Sequence, residues 1–274
     1  MADSKDAFTT RLAAPVTAKQ AILSALTATG RALSTAQLRL CGALFGVEGA
    51  AVRVALGRLV DQGDVVAQGD GVYEIGPKGQ PIADAIQRWR DLPRLGKPWR
   101  GEWIAIHTAH LGRSQRAQLR RRERALSLFG FASATDGLWV RPDNLRTEPS
   151  ALASALFELG LEPEAIIVTG ASFIRKPAQG LEDLWDRKTI EAGYAAAEAA
   201  MAKCLDRLER ASIKERASAT ATIGAAVIGM LSFDPLLPGE FLDADLRRVV
   251  HRRMLYFDRV GKQSLAAFWR EQGC

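Results

Sequence analysis

The chain has little of what most catalytic and extracellular proteins need. Its 274 residues hold three cysteines, Cys41, Cys204 and Cys274, an odd number set far apart. That spacing argues against a disulfide framework or a zinc knuckle and suits a reducing compartment. Cys41 and Cys204 fall in helical patterns, where cysteine acts as a small buried hydrophobe. Histidine also numbers three, His107, His110 and His251. His107 and His110 flank the end of an expected strand, with no Cys or carboxylate at ligand spacing, so no metal and no cofactor is expected. Walker-type and dinucleotide-type glycine loops are missing, as is a G-x-S-x-G elbow. No catalytic residue can be assigned, and the chain is expected not to be an enzyme. No apolar run reaches the roughly 18 residues of a membrane span. The opening MADSKDAFTT lacks the basic-then-apolar pattern of a secretory signal. A cytoplasmic protein with no membrane partner is therefore expected.

What is present reads as globular. The composition is 47% hydrophobic and 25% charged, without low-complexity tracts or internal repeats, and the length suits two or three domains. The net charge is +6, a balance that favours polyanionic partners but does not prove one. Its distribution is uneven. Residues 17–80 carry six Lys and Arg against five Asp and Glu, while 84–146 carry thirteen against six.

The N-terminal third is organised around residues 48–62, EGAAVRVALGRLVDQ. Val52, Ala55, Leu56, Leu59 and Val60 recur at helical spacing as one apolar stripe. Arg53, Gly57, Arg58 and Asp61 fall on the other side. A small, guanidinium-bearing face suits a DNA-reading helix, because small residues let the backbone approach the groove and arginine forks reach phosphates or guanine. A solvated helix face is the other reading of the same pattern. The flanks favour the first. Residues 1–16 read as a loose tail. Thr17 can cap a helix over 18–29 that Gly30 ends, and Ser34 can cap a second over 36–45, closed by Gly46. After Gly63, residues 65–67 and 72–75 alternate around the turn Gly69-Asp70-Gly71, a β-hairpin. Three short helices and a hairpin predict a winged helix-turn-helix over 17–80. Its candidate DNA-binding residues are Ser34, Thr35, Gln37, Ala50, Arg53, Val54, Gly57, Arg58 and Asp70.

Residues 81–98 read as a connector, with a helix over 81–91 and a Pro/Gly-rich linker after it. Over 99–176 the order is strand (103–108), helix (114–129), strands (131–134 and 138–141) around Thr135-Asp136-Gly137, helix (150–159, capped by Ser150) and strand (165–169). This is the split βαβ, ferredoxin-like arrangement, a common dimerisation platform and an equally common bare scaffold. One helix face is crowded with Arg113, Arg116, Arg120, Arg121, Arg122 and Arg124. Solvent, DNA phosphates and the phosphates of a ligand such as a coenzyme A thioester all fit such a face. The candidate effector-binding residues are Arg113, Arg116, Arg120, Trp139 and Arg141, Trp139 because it follows a tight turn where its ring could face a pocket. Residues 177–274 read as an all-helical lobe: one helix over 181–210, a second over 217–230, the interruption Phe233-Asp234-Pro235-Leu236-Leu237-Pro238, and closing helices over 245–257 and 262–269. The fold class expected is α+β.

Several stretches in this order resemble the PaaX-type repressors of phenylacetate-degradation operons. They are AAVRVALGRLVDQG at 50–63, W-R-G-E-W at 99–103 with the Arg-rich helix after it, GFASATDGLWVRP at 130–142, LEDLWDRKTIEAGY at 181–194 and FDPLLP at 233–238. The resemblance covers most of 18–257. It implies a bacterial repressor that binds a double-stranded operator as a homodimer through an N-terminal winged helix. It also implies a ferredoxin-like middle domain, similar to that of CRISPR-associated adaptation endonucleases, and release by phenylacetyl-CoA or a related aromatic acid or CoA thioester. Two places depart from the pattern. Those endonucleases carry an acidic residue at the end of the first strand, whereas this chain has His107-Thr108-Ala109-His110, so nuclease activity does not carry over. After FDPLLP the chain runs Gly239-Glu-Phe-Leu-Asp-Ala-Asp245 instead of a Trp-Pro-Gly-like turn. A metal-dependent nuclease and a DNA-binding protein without an effector are the alternatives to a ligand-responsive repressor.

Overall fold

In the computed structural model, which describes residues 14–174 and 180–274, helices and two antiparallel sheets alternate along the chain and the last third is helical. The expected tail over 1–16 lies mostly outside the described residues. The elements are α1 (Ala18–Thr29), β1 (Leu33–Ser34), α2 (Thr35–Leu44), α3 (Gly49–Gln62), β2 (Val65–Gly69), β3 (Val72–Ile75) and α4 (Gln80–Gln87). A 3₁₀ turn (Arg88–Asp91) and the short α5 (Leu92–Leu95) follow. Next come β4 (Trp103–His107), α6 (Arg116–Leu128), β5 (Ala132–Thr135), β6 (Leu138–Pro142), α7 (Pro149–Leu159) and β7 (Ile166–Ala171). After the 3₁₀ turn Glu182–Leu184 come α8 (Arg187–Leu208), α9 (Ile213–Ser232) and α10 (Ala244–Glu271). No helix among the described residues is long and apolar enough to cross a membrane.

The described residues form two units. The first comprises 14–90, 193–230 and 249–274, and the second 91–192 and 231–248. The stretch 177–274, expected as a lobe of its own, contributes to both.

In the first unit, both leading helices start with reciprocal capping boxes. The Thr17 hydroxyl accepts from the Gln20 backbone N–H while the Gln20 side-chain oxygen Oε1 accepts from Thr17 N–H. Ser34 and Gln37 repeat the arrangement at α2. Leu33 and Ser34 add an edge strand against β3, giving a three-stranded sheet in the order β1-β3-β2. The apolar stripes of α1–α3 meet in one core with Ile22, Leu26, Leu33, Leu38, Leu44, Val52, Leu56, Leu59 and Val65 buried. Full burial of such a side chain is worth about 1.5–3 kcal/mol. The same core takes in Phe268 and Trp269 from the end of α10 and Ala217 from α9. Ser218 Oγ donates to the Leu44 carbonyl at the end of α2, at 2.7 Å. The N-terminal helices therefore do not close their core by themselves.

The second unit is built on a four-stranded sheet, order β5-β6-β4-β7, with every neighbouring pair antiparallel. Period-two alternation puts Ile104 and Ile106 on one face and Trp103 and Ala105 on the other. Trp103 anchors an aromatic cluster with Trp99, Trp185 and Phe241, at centroid separations of 4.8–6.4 Å. The segment 233–238, FDPLLP, is almost wholly buried. Asp234 Oδ1 accepts from Leu236 N–H at 2.8 Å, turning the chain, and Leu236 adopts a left-handed φ of 52°.

Three expectations about elements are corrected. Residues 181–210 are not one helix. Trp185 is extended so that its ring stacks on Trp103, and Asp186 restarts the helix by accepting from Thr189 N–H at 3.0 Å. Residues 245–257 and 262–269 are parts of a single helix. Gly261 does not stop it: it lies inside the helix facing Thr220 of α9, and a single interior glycine costs only about 1 kcal/mol relative to alanine. Finally, Ser150 does not cap α7. Glu148 occupies that position and Pro149 opens the helix, its fixed φ being suited to the first turn.

Candidate nucleic-acid interface

Helices α2 and α3 are joined by four residues, 45–48, with Gly46 in the left-handed conformation at φ 73°. Their crossing is close. A Cβ on Gly42 would lie 2.6 Å from Val52 Cγ2, so glycine is what lets α3 lie across α2. With Val52, Leu56 and Leu59 turned into the core, Ala50, Arg53, Val54, Gly57, Arg58 and Asp61 are all exposed. Val54 is 57% exposed on this face. A Cβ on Gly57 would meet no atom within 4 Å, so the middle of this face is flat and open.

The hairpin stands beside α2. Gly69, Asp70 and Gly71 at its tip all take positive φ, of 94°, 48° and 69°. Thr35 donates both its N–H (2.8 Å) and its hydroxyl (3.0 Å) to the Gly71 carbonyl, tying the tip to the first residue of α2. Asp70 is exposed at the tip. The structure thus gathers the expected DNA-contact set into one unit but gives its members different duties. Ala50, Arg53, Val54, Gly57, Arg58 and Asp70 lie open. The oxygens of Ser34 and Gln37 serve the capping box, and Thr35 holds the tip. A cleft of about 500 Å³ in this unit is lined by Arg31, Glu74, Gln80, Asp84, Gln87 and Lys262 among others.

The expected effector residues lie in the second unit and are dispersed. Arg113 pairs with Asp136 at 3.3 Å on the surface, and Arg116 and Arg120 are exposed along α6. Trp139 is half-buried in β6, opposite Ile106. Arg141 is 1% exposed. Its guanidinium donates to the carbonyls of Phe129, Pro142 (3.1 Å) and Pro235 (3.4 Å) and to Asn144 Oδ1 (2.9 Å). Asn144 in turn donates to the Leu236 carbonyl at 2.7 Å. Arg141 is therefore a clamp on the buried 233–238 segment, with its donors consumed by the chain itself, and is not presented to a ligand. Arg122 also leaves the exposed arginine face. It is 3% exposed, held bidentately by Glu162, and donates to the Gly112 carbonyl at 3.0 Å. The hydrogen bond from Arg122 holds the Glu162 carboxyl below its ordinary range. A second cleft, of about 310 Å³, is lined by Lys97, Asp143, Arg146 and Thr169 among others. Neither cleft is lined by any of the five expected effector residues.

Sequence reasoning missed Phe268 and Trp269 as parts of the core behind α3. Closing helices over 245–257 and 262–269 were expected, but nothing local says that the last turn packs against residues more than two hundred positions earlier.

No family model and no curated protein matches the chain. Among solved structures it is similar to one titled "Uncharacterized protein Rv0674 from Mycobacterium tuberculosis", at 25% identity and a TM-score of 0.54, over 91% of this chain and 99% of that one. The two proteins share a mixed α+β architecture along nearly their whole length.

Proposed function

We propose that the chain is a ligand-released transcriptional repressor that reads operator DNA through α3, and that it falls in the PaaX-type family it resembles. In this reading α1–α3 with β1–β3 form a winged helix-turn-helix, with β2 and β3 as the wing. Strands β4–β7 with α6 and α7 form a ferredoxin-like unit. The observation that carries the reading is the face of α3. It sets Arg53, Val54, Gly57 and Arg58 side by side in the open, beside a hairpin tip tied down by Thr35. Arg53 and Arg58 reach base edges or phosphates, Val54 offers apolar contact to a thymine methyl, and Gly57 permits close approach. The pairing of two copies rests on β7, an edge strand on which Ile166 and Val168 are exposed. Two α3 helices then meet an inverted repeat in successive major grooves. The effector is an aromatic acid or its CoA thioester, in keeping with the family resembled. A ligand that prefers a dimer shape mismatched to the operator by a few kcal/mol is enough for release.

The test is a footprint and gel shift on the promoter of the protein's own gene, with and without aromatic acids and their CoA esters. Arg53→Ala and Arg58→Ala should each weaken operator binding by about 1–3 kcal/mol. If both bind as the wild type does, α3 is not the reader. Divalent-metal-stimulated cleavage of the DNA would instead place the chain among nucleases. Specific binding indifferent to every aromatic acid and CoA ester would leave a DNA-binding protein without an effector.

A further inference from the structure

The end of β4 carries a second arrangement, independent of the DNA-reading face. His107 is the last residue of the strand, and a turn closed by Leu111 N–H donating to the Thr108 carbonyl at 3.0 Å brings His110 back beside it. The turn is held from below. Thr108 donates its N–H to the Gly137 carbonyl at 2.7 Å, and a Cβ on Gly137 would lie 2.5 Å from the Ala109 backbone. The two exposed imidazoles lie nearly parallel, at 18°, with their Nδ1 atoms 3.3 Å apart. His110 Nε2 lies 2.9 Å from the Glu164 carbonyl, an acceptor only. That nitrogen must therefore carry the hydrogen, which leaves the His110 Nδ1 lone pair facing His107.

A separation of 3.3 Å lets His107 Nδ1 donate a hydrogen to His110 Nδ1 when no cation is bound. It matches the span across a tetrahedral cation: with metal–nitrogen distances of about 2.0–2.1 Å, the angle at the metal comes to about 104–111°. The hydrogen bond from the far nitrogen of His110 to a backbone carbonyl is the arrangement that orients metal-binding histidines. We propose that His107 and His110 form a binding site for a borderline divalent cation of the zinc, cobalt or nickel class, held through both Nδ1 atoms. Imidazole selects these over magnesium and calcium. Among the described residues no third Cys, His, Asp or Glu joins the pair in a metal-binding group. The remaining coordination positions take water or a donor from outside the chain. A cation here departs from the expectation of no metal, which rested on the lack of Cys or carboxylate partners at ligand spacing.

The test uses the full-length chain, free of any histidine tag and stripped of metal with a chelator. Titration with Co²⁺ followed by its visible absorption, and with Zn²⁺ by calorimetry, should show one cation per chain. Separate His107→Asn and His110→Asn variants, checked for unchanged circular dichroism, should each bind at least about tenfold more weakly. As a measurement that needs no variant, Zn²⁺ should shift the Nδ1 resonances of two histidines and leave those of the third, buried His251 in place. Saturable binding unchanged in either variant, or no saturable binding of either cation, would overturn the proposal.

Discussion

Gly42 in α2 and Val52 in α3 stand where one more carbon would collide: a Cβ on Gly42 would lie 2.6 Å from Val52 Cγ2. Valine is stiff about χ1 and buried here, so it cannot yield cheaply. Gly42→Val should therefore lower stability by about 1–3 kcal/mol through overpacking, although valine favours a helix slightly more than glycine does. Urea unfolding reads the loss directly. An unchanged midpoint would mean that the two helices cross with slack.

Val54 supplies the converse case. It is 57% exposed and packs against no core residue. Val54→Glu should leave stability within about 0.5 kcal/mol of the wild type. The same change puts a negative charge in the middle of the proposed DNA-reading face, and operator affinity should fall at least about tenfold, or 1.4 kcal/mol. Fluorescence anisotropy beside thermal unfolding separates the two effects. Equal losses of both would mean the residue is structural.

Trp269 closes the core behind α1–α3 from the far end of the chain, at 5% exposure, with the Arg31 guanidinium 5.2 Å from its ring centre. Trp269→Ala should cost about 3–5 kcal/mol. It should also open Cys41, whose thiol burial now pushes up to about 12 and so keeps inert at neutral pH. Labelling by a thiol reagent should reach Cys274 alone in the native wild type, and Cys41 as well in the variant. If Cys41 stays protected and stability holds, α10 does not seal this core.

Glu162 and Arg122 set an acid limit on the second unit. The Glu162 carboxyl, held low by the Arg122 hydrogen bond, has a folded-state pKa below its ordinary 4.5. Its contribution is fully present above that ordinary value and is lost as pH falls through the lowered one. Glu162→Gln removes the carboxylate that holds buried Arg122 bidentately, at a cost of about 3–5 kcal/mol at neutral pH. The variant should also lose less stability than the wild type as pH falls below about 4.5. Denaturant midpoints across that range decide it, and parallel pH profiles would show that the pair is not coupled to folding.

Much of the local structure was legible from residue order. The capping signals at Thr17 and Ser34, the stripe Val52–Leu56–Leu59 and the glycine turn at 69–71 each specify a conformation within a few residues of themselves. The helix starts, the exposed face of α3 and the hairpin follow directly. Spacing alone also predicts four strands around two helices over 99–176, because alternation and apolar runs are likewise local.

What only the tertiary structure decided is which partners those local pieces meet. Arginine and histidine are alike on a page whether solvated or engaged. Arg122 and Arg141 proved buried because Glu162 and the 233–238 carbonyls, distant in sequence, meet their guanidinium groups. Arg116 and Arg120, on the same helix as Arg122, stayed outside. His107 and His110 became a converging pair because Gly137 holds their turn from the neighbouring hairpin. Trp269 joined the core behind α3 across the length of the chain. A long-range contact is a property of two segments at once, and neither segment carries a local mark of the other.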